Sequence, residues 1–206
     1  MLPQRIVAVG ASIVFGRVDP EHGGFMGRMK IWHEKFFTPN AVFNLGISGE
    51  TSTMLLDRLH AELLVRKPNL IIISVGLNDV KRNGSLRSSP TTPTERFRQN
   101  IHDIIHQSRN LCDVMFISIT PINESKTTPL LYQKNSYIMF EDVVKYADIT
   151  KAICMEEKVP YLDIMNQWLQ MRYQAFLDED GLHPNPLGHK DIFIKLKAFL
   201  KEQYSV

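Results

Sequence analysis

The sequence has 206 residues, of which 44% are hydrophobic and 22% are charged, and its formal net charge is +2. This length and composition are typical of one globular domain spanning residues 1–206. The small net charge argues against a nucleic-acid-binding protein, and the two cysteines, Cys112 and Cys154, are too few for a disulfide scaffold and are expected to be free, buried thiols.

The apolar run from Ile6 to Phe15 could be read as a secretion signal. A signal peptide requires a basic start, a continuous apolar stretch and a small-residue cleavage site, whereas Gly10 and Ser12 interrupt this run. We therefore interpret it as the first buried strand and the loop that follows. Since no other stretch approaches the ~20 apolar residues of a membrane span, we expect a cytoplasmic protein, complete as written and without a stable membrane anchor.

Apolar runs of strand length alternate with stretches of helical periodicity along the chain. In chain order we predict a strand at 5–9, a helix at 25–37, a strand at 41–45, a helix at 52–67, a strand at 70–75, a helix at 95–109, a strand at 114–119, a helix at 136–157, a strand at 159–162 and a helix at 187–203. This alternation predicts repeated β-α units, and hence an α/β fold around a mainly parallel sheet of five strands.

Four loops in this pattern carry unusual residues. Residues 10–16 (Gly-Ala-Ser-Ile-Val-Phe-Gly) follow the first strand, and residues 44–49 (Asn-Leu-Gly-Ile-Ser-Gly) close the second. Residues 76–79 (Gly-Leu-Asn-Asp) follow the third strand, and residues 180–184 (Asp-Gly-Leu-His-Pro) precede the last helix. Because open α/β sheets bind ligands at the carboxyl ends of their strands, we expect these four loops to meet at one edge.

These four segments resemble the sequence blocks of the SGNH (GDSL-like) hydrolases, which carry a serine, a glycine, an asparagine and a histidine in this order. The resemblance runs from residue 10 to residue 189 and implies a flavodoxin-like, three-layer α/β/α sandwich. It implies a serine-dependent hydrolase of carboxylic esters that needs no cofactor and acts on a small acyl ester, an acetylated sugar or a lysophospholipid. The first block departs from the family, because Ala11 stands where an aspartate is usual.

Three residues in these loops match the needs of nucleophilic catalysis. A serine hydroxyl becomes a good nucleophile when a neighbouring base removes its proton, and an imidazole titrates near neutral pH. We therefore predict Ser12 as the nucleophile, His183 as its base and Asp180 as the acceptor that fixes the imidazole tautomer. The rival acids Asp178 and Glu179 are interpreted as solvated loop charges.

A tetrahedral intermediate carries an oxyanion that requires hydrogen-bond donors. Gly46 could offer a backbone N–H that no side chain obstructs, Asn78 its side-chain amide, and Ser12 its backbone N–H at a helix start. Ordinary structural roles stay open for the same residues. Ser12 could cap the following helix, and Gly46, Gly49 and Asn78 could be turn residues.

A histidine pair on a predicted helix invites a metal-site interpretation. His102 and His106 are spaced i, i+4 and so share a helix face, but the pair lacks the glutamate of the zinc-protease motif. We interpret it as a surface pair that projects away from the buried stripe, and expect no metal site. Lys81, Arg82 and Arg87 could attract an acidic substrate but are interpreted as charges of a solvated loop.

Two alternative functions use the same segments. The loop at residues 10–16 could bind a nucleotide, but it lacks the lysine of a P-loop and does not fit Gly-x-Gly-x-x-Gly. That reading also leaves Asn78 and His183 without a role. The second alternative, motivated by Ala11, is a catalytically silent relative that binds acyl or sugar ligands. We expect a small-molecule ester as the partner, and no nucleic acid.

Overall fold

The computed structural model describes residues 1–35 and 39–205, in which strands and helices alternate. The strands are β1 (Arg5–Gly10), β2 (Ala41–Gly46), β3 (Leu70–Ser74), β4 (Arg82–Asn83), β5 (Asp113–Ile117), β6 (Ser136–Tyr137) and β7 (Tyr161–Leu162). The α-helices are α1 (Ser12–Phe15), α2 (Gly24–Glu34), α3 (Ser52–Arg66), α4 (Thr94–Arg109), α5 (Glu124–Thr127), α6 (Phe140–Glu156), α7 (Ile164–Leu169) and α8 (Pro186–Gln203). A short 3-10 helix covers Tyr173–Phe176.

Five of these strands form one sheet in the order β2-β1-β3-β5-β7, and each neighbouring pair is parallel. The prediction of an α/β fold around a mainly parallel five-stranded sheet is confirmed. In this register Gly10 lies opposite Gly46 on one side and Ser74 on the other. The first three strands therefore end level with one another, and the loops that follow them begin at one edge of the sheet.

The direction of the chain across the sheet decides where a ligand can bind. From β1 the chain moves outward to β2, and then returns past β1 to β3, β5 and β7 on the other side. Because β-α-β crossovers are right-handed, this reversal places α2 on one face and α3, α4 and α6 on the opposite face. The loops after β1 and β3 diverge at the reversal, which is where α/β sheets form their ligand crevice.

Packing of the helices explains why the central strand is so apolar. α2 packs against α8, while α4 packs against both α3 and α6. Between these two layers β3 is buried along its whole length, and Ser74 is the one polar residue in its sequence Leu-Ile-Ile-Ile-Ser. A strand covered on both faces requires such a continuous apolar run.

Two helices differ from their predicted bounds by more than two residues at one end. The helix expected at residues 136–157 begins at Phe140, because Ser136–Tyr137 pairs with Arg82–Asn83 as an antiparallel two-stranded ribbon. The helix expected at residues 25–37 is observed at Gly24–Glu34, and residues 36 and 37 of that prediction lie outside the described residues.

The cysteines are free thiols, as predicted, although Cys112 is half-buried and only Cys154 is buried. Burial raises the pKa of both thiols to about 12, so neither is a reactive thiolate at neutral pH. Within residues 1–35 and 39–205, no helix combines the length and the apolar character needed to cross a membrane.

Candidate active site

Ser12 is the first residue of α1 and follows directly on the end of β1. Ala11 occupies the N-cap position without a side-chain hydrogen bond, so Ser12 is not the helix cap. The tight turn into the helix depends on Gly10, whose φ is +143° and where a Cβ would lie 1.9 Å from the carbonyl oxygen of Ser74. This turn holds the Ser12 side chain at the edge of the sheet.

The Ser12 side chain contacts an imidazole that lies 171 positions away in the chain. Ser12 Oγ is 2.9 Å from His183 Nε2, and His183 Nδ1 is 2.6 Å from Asp180 Oδ2. Asp180 Oδ1 accepts the backbone N–H groups of Leu182 and His183 at 2.9 and 3.0 Å. Because Nδ1 faces a carboxylate it carries the proton, which leaves Nε2 as the acceptor for the serine hydroxyl.

The charge of Asp180 is maintained by these contacts. Burial alone would raise the pKa of Asp180, but the hydrogen bonds from the His183 side chain and from the backbone of His183 and Leu182 outweigh it and lower the pKa. The carboxylate therefore stays ionised at neutral pH. The rival acids are placed elsewhere, since neither the Asp178 nor the Glu179 carboxylate contacts His183 within the described residues, and Glu179 accepts from Tyr132 at 3.4 Å.

Asn78 and Asp79 connect the loop after β3 to the start of α3. The Asn78 side-chain amide donates to the carbonyl of Glu50 at 3.0 Å. The Asp79 carboxylate accepts the Ser52 hydroxyl at 2.6 Å and the Ser52 backbone N–H at 3.0 Å. Asn78 lines the same cavity as Ser12 and His183, and its amide has a second N–H that can donate there.

Gly46 has a different role from the predicted one. Its N–H donates to Asn44 Oδ1 at 3.0 Å, and Gly46 does not line the cavity above Ser12. Glycine is needed here for packing, because a Cβ would lie 2.2 Å from the backbone nitrogen of Phe15 in α1. Gly49 does line the cavity, and its N–H has no acceptor among the hydrogen bonds of the described residues. The Gly46 N–H predicted as an oxyanion donor is therefore already bonded to Asn44, and Gly49 is the glycine of this segment that lies on the cavity.

A cavity of about 280 Å³ opens over the Ser12 side chain. Its wall includes two cationic residues, Arg17 and Lys81, and the segment 130–133 between α5 and β6. Of the three loop cations considered as substrate-attracting groups, Lys81 lines this cavity and Arg82 and Arg87 do not. The Arg82 guanidinium pairs with Asp142 at 2.7 Å. A larger cavity of about 690 Å³ lies at the opposite edge of the sheet and contains none of the predicted site residues.

His189 braces the chain just after α1 and is fully buried. The Phe25 backbone N–H donates to Nδ1 at 3.3 Å, so Nε2 carries the proton and donates to the carbonyl of Arg17 at 2.9 Å. Burial lowers the pKa of His189, and the opposing hydrogen bond to Arg17 and charge of Asp19 do not offset this. The structure therefore requires the neutral imidazole at this position.

Stability is expected to fall as the pH drops below about 6.5, the ordinary imidazole pKa. The pKa of His189 is lower in the folded state, so the unfolded chain binds the proton first as the pH falls. Each pH unit between the unfolded and the folded pKa lowers the free energy of unfolding by up to about 1.4 kcal/mol. In His189→Gln the amide keeps a donor for the Arg17 carbonyl but cannot titrate. Urea unfolding should therefore show that the free energy of unfolding falls less between pH 7 and pH 5 than it does in the wild type. The exposed His60, changed to Gln, should keep the wild-type slope. Equal slopes in all three proteins would contradict the argument.

Comparison with known proteins identifies the family. Residues 8–190 match the model of the GDSL-like Lipase/Acylhydrolase family. An acetylxylan esterase of Geobacillus stearothermophilus is 24% identical over 97% of this chain and 93% of its own length. Thioesterase 1/protease 1/lysophospholipase L1 of Escherichia coli K12 is 26% identical over 90% of this chain and 80% of its own. The crystal structure of the lipase/acylhydrolase from Enterococcus faecalis superposes with a TM-score of 0.77 at 22% identity, covering 97% of this chain and 96% of that one. On this evidence the chain belongs to the GDSL-like lipase/acylhydrolase family of carboxylic ester hydrolases.

Proposed function

We propose that the protein is a serine esterase that hydrolyses carboxylic esters through an acyl-enzyme on Ser12. The observation that carries this proposal is the hydrogen-bonded chain from Ser12 through His183 to Asp180, with distances of 2.9 and 2.6 Å. A base in contact with a hydroxyl, itself oriented by a third group, is the arrangement that activates a serine nucleophile.

The reaction has two steps. First, His183 Nε2 takes the hydroxyl proton while Ser12 Oγ attacks the carbonyl carbon, which produces a tetrahedral oxyanion. The imidazolium, stabilised by Asp180, then returns this proton to the alcohol oxygen as the carbon–oxygen bond breaks and acyl-Ser12 forms. In the second step His183 deprotonates a water molecule that attacks the acyl carbonyl, and the acid leaves as Ser12 regains its proton.

Three donors are proposed for the oxyanion: the backbone N–H groups of Ser12 and Gly49 and the side-chain amide of Asn78. All three residues line the cavity above the triad. A donor aimed at the charge that develops in the transition state acts mainly on kcat, because the ground-state carbonyl carries little of that charge.

Replacing Asn78 by alanine is therefore expected to lower kcat by about 10²–10³-fold with a smaller effect on KM. Steady-state kinetics with a chromogenic ester measures both constants. Asn83→Ala is a matched control, since Asn83 lies on β4 outside the cavity and should retain the wild-type kcat. A higher KM with an unchanged kcat in Asn78→Ala would contradict the donor role.

We propose that the protein is catalytic although Ala11 takes the place of the usual aspartate. In this chain Asn44 can brace α1, because its side-chain amide donates to the carbonyl of Val14 at 2.8 Å while its oxygen accepts from Gly46. Ala11 forms no side-chain hydrogen bond, yet Ser12 Oγ still lies within hydrogen-bond distance of His183 Nε2. This supports a working esterase over the silent acyl- or sugar-binding alternative.

The proposed substrate is a short acyl ester of a polar alcohol, with an acetylated sugar as the first candidate. A cavity of about 280 Å³ is small for a long acyl chain, and Ser48, Lys81 and Gln133 give its wall a polar part. The similarity to an acetylxylan esterase along 97% of this chain supports the same choice. A lysophospholipid is the second candidate, because the Escherichia coli relative carries that activity in its name.

The test combines labelling with a substrate panel. A fluorophosphonate should modify the protein once, at Ser12, as located by peptide mass spectrometry. On nitrophenyl esters from acetyl to dodecanoyl, kcat/KM should be highest for the shortest chains, and acetylated xylo-oligosaccharides should release acetate. Binding of these compounds without labelling or turnover would favour the silent relative, whereas competed binding of ATP or NAD would revive the nucleotide-binding alternative.

A further inference from the structure

Three side chains remote from the active site converge where α4 approaches the end of α6. His102 and His106 lie one turn apart on α4, and Glu157 follows the last residue of α6. His102 Nδ1 is 3.2 Å and His106 Nε2 is 3.6 Å from the same oxygen, Glu157 Oε1. The prediction of a surface pair agrees with the 65% exposure of the His106 side chain, but the sequence did not indicate that both imidazoles face the Glu157 carboxylate.

Glu157 is held in this orientation by Arg109. The guanidinium donates to Glu157 Oε2 at 2.9 Å and also to the Glu157 backbone carbonyl. Because Arg109 occupies Oε2, the carboxylate presents Oε1 to the two imidazoles. Contacts of this kind, which fix the orientation of a ligand from behind, are typical of metal sites in proteins.

The spacing of the three groups matches tetrahedral coordination. Zinc binds imidazole nitrogen and carboxylate oxygen at about 2.0–2.2 Å, so two ligand atoms of a tetrahedral site lie about 3.4 Å apart. The observed separations of 3.2 and 3.6 Å bracket that value. One ligand atom from each of the three residues lies within 4.8 Å of the other two, and rotation of the exposed His106 side chain can shorten the remaining separation.

We propose that His102, His106 and Glu157 bind one divalent transition-metal cation, with Zn²⁺ as the best fit. Two imidazoles and one carboxylate suit Zn²⁺, Ni²⁺ or Cu²⁺ rather than Mg²⁺ or Ca²⁺, which take mainly oxygen ligands. The fourth position is left for water. The positive charge of Arg109 opposes cation binding but is neutralised by the carboxylate that it orients.

The topology assigns this ion a structural role. Glu157 precedes β7 and α4 ends just before β5, so the cluster lies at the amino-terminal edge of the sheet. Ser12 and Asn78 follow the carboxyl ends of β1 and β3, at the opposite edge. An ion at the cluster would link α4 to the segment after α6 without contacting the ester. This inference is independent of the proposed hydrolysis.

The experiment is titration of the metal-free full chain with ZnCl₂ by calorimetry, and with CoCl₂ by visible absorption. We expect one saturable site with the intense Co²⁺ bands of tetrahedral coordination. His106→Asn and Glu157→Gln should each weaken Zn²⁺ binding at least tenfold, and His102→Asn combined with His106→Asn should abolish it. At a free Zn²⁺ concentration about 100 times the Kd, the wild-type Tm should rise by about 5–10 °C, and this rise should be absent in the double variant.

Two controls separate this site from other histidines. His60→Asn removes an exposed helical histidine and should bind Zn²⁺ as the wild type does. His183→Asn removes the imidazole of the triad, which could also contact a divalent ion, and should retain the site. Absence of saturable binding, binding that persists in the double variant, or binding lost only in His183→Asn would each overturn the proposal.

Discussion

Ser12→Ala is expected to reduce kcat for a short-chain ester by about 10⁶-fold, which is the loss seen when the triad serine of a serine protease is removed. The reason is that the acyl-enzyme cannot form without the hydroxyl that contacts His183 Nε2 at 2.9 Å. The substitution deletes one oxygen from a buried residue at the start of α1, so folding should be little affected. Hydrolysis rates on nitrophenyl acetate test the first statement, and the Tm measured on the same samples tests the second.

Ser85→Ala provides the matched control for this experiment. Ser85 lies in an exposed loop and contacts Ser88, not the triad. The Ser85→Ala variant should hydrolyse the ester at the wild-type rate and react with the fluorophosphonate, whereas Ser12→Ala should do neither. Wild-type hydrolysis by Ser12→Ala would refute the assignment of the nucleophile, even if the family membership stands.

The sequence predicted the approach of Ser12 and His183 because the sheet topology restricts where each loop can lie. A buried strand such as residues 70–74 can be recognised from its apolar run alone, and parallel strands place all their carboxyl ends at one edge. Two residues 171 positions apart can therefore be expected to meet without any knowledge of side-chain contacts. Asp180 followed from its position three residues before His183.

The features that the sequence did not predict depend on local geometry or on long-range contacts. The segment Asn-x-Gly-x-x-Gly contains two glycines that the sequence does not distinguish. The structure separates them, because Gly46 packs against Phe15 and bonds to Asn44 whereas Gly49 lies on the cavity. The antiparallel ribbon joins Arg82–Asn83, which was predicted as part of a loop, to Ser136–Tyr137, which was predicted as the start of a helix. Neither pair is part of a recognisable strand pattern in the sequence. Likewise, nothing near His102 indicates that Glu157 packs beside it.

Asp180→Asn tests how the imidazole is oriented and is expected to lower kcat by about 10⁴-fold, as for the corresponding change in a serine protease. The geometry at Asp180 gives the reason. Oδ1 accepts the backbone N–H groups of Leu182 and His183, so the asparagine must keep its oxygen there and turn its NH₂ toward His183 Nδ1. Nδ1 then has to accept a hydrogen bond, which moves the imidazole proton to Nε2 and removes the base from Ser12.

The neighbouring acid supplies the control for this substitution. Asp178→Asn removes the same charge two residues away, but the Asp178 side chain does not contact His183 within the described part of the chain. It should therefore retain kcat within a few-fold of the wild type. A larger loss in Asp178→Asn than in Asp180→Asn would reverse the assignment of the acid. A small loss in both would contradict the role of Asp180 in fixing the imidazole tautomer. The hydrogen bond from the Asp178 backbone N–H to the His183 carbonyl, at 2.8 Å, involves no side chain and should keep the loop in place in each variant.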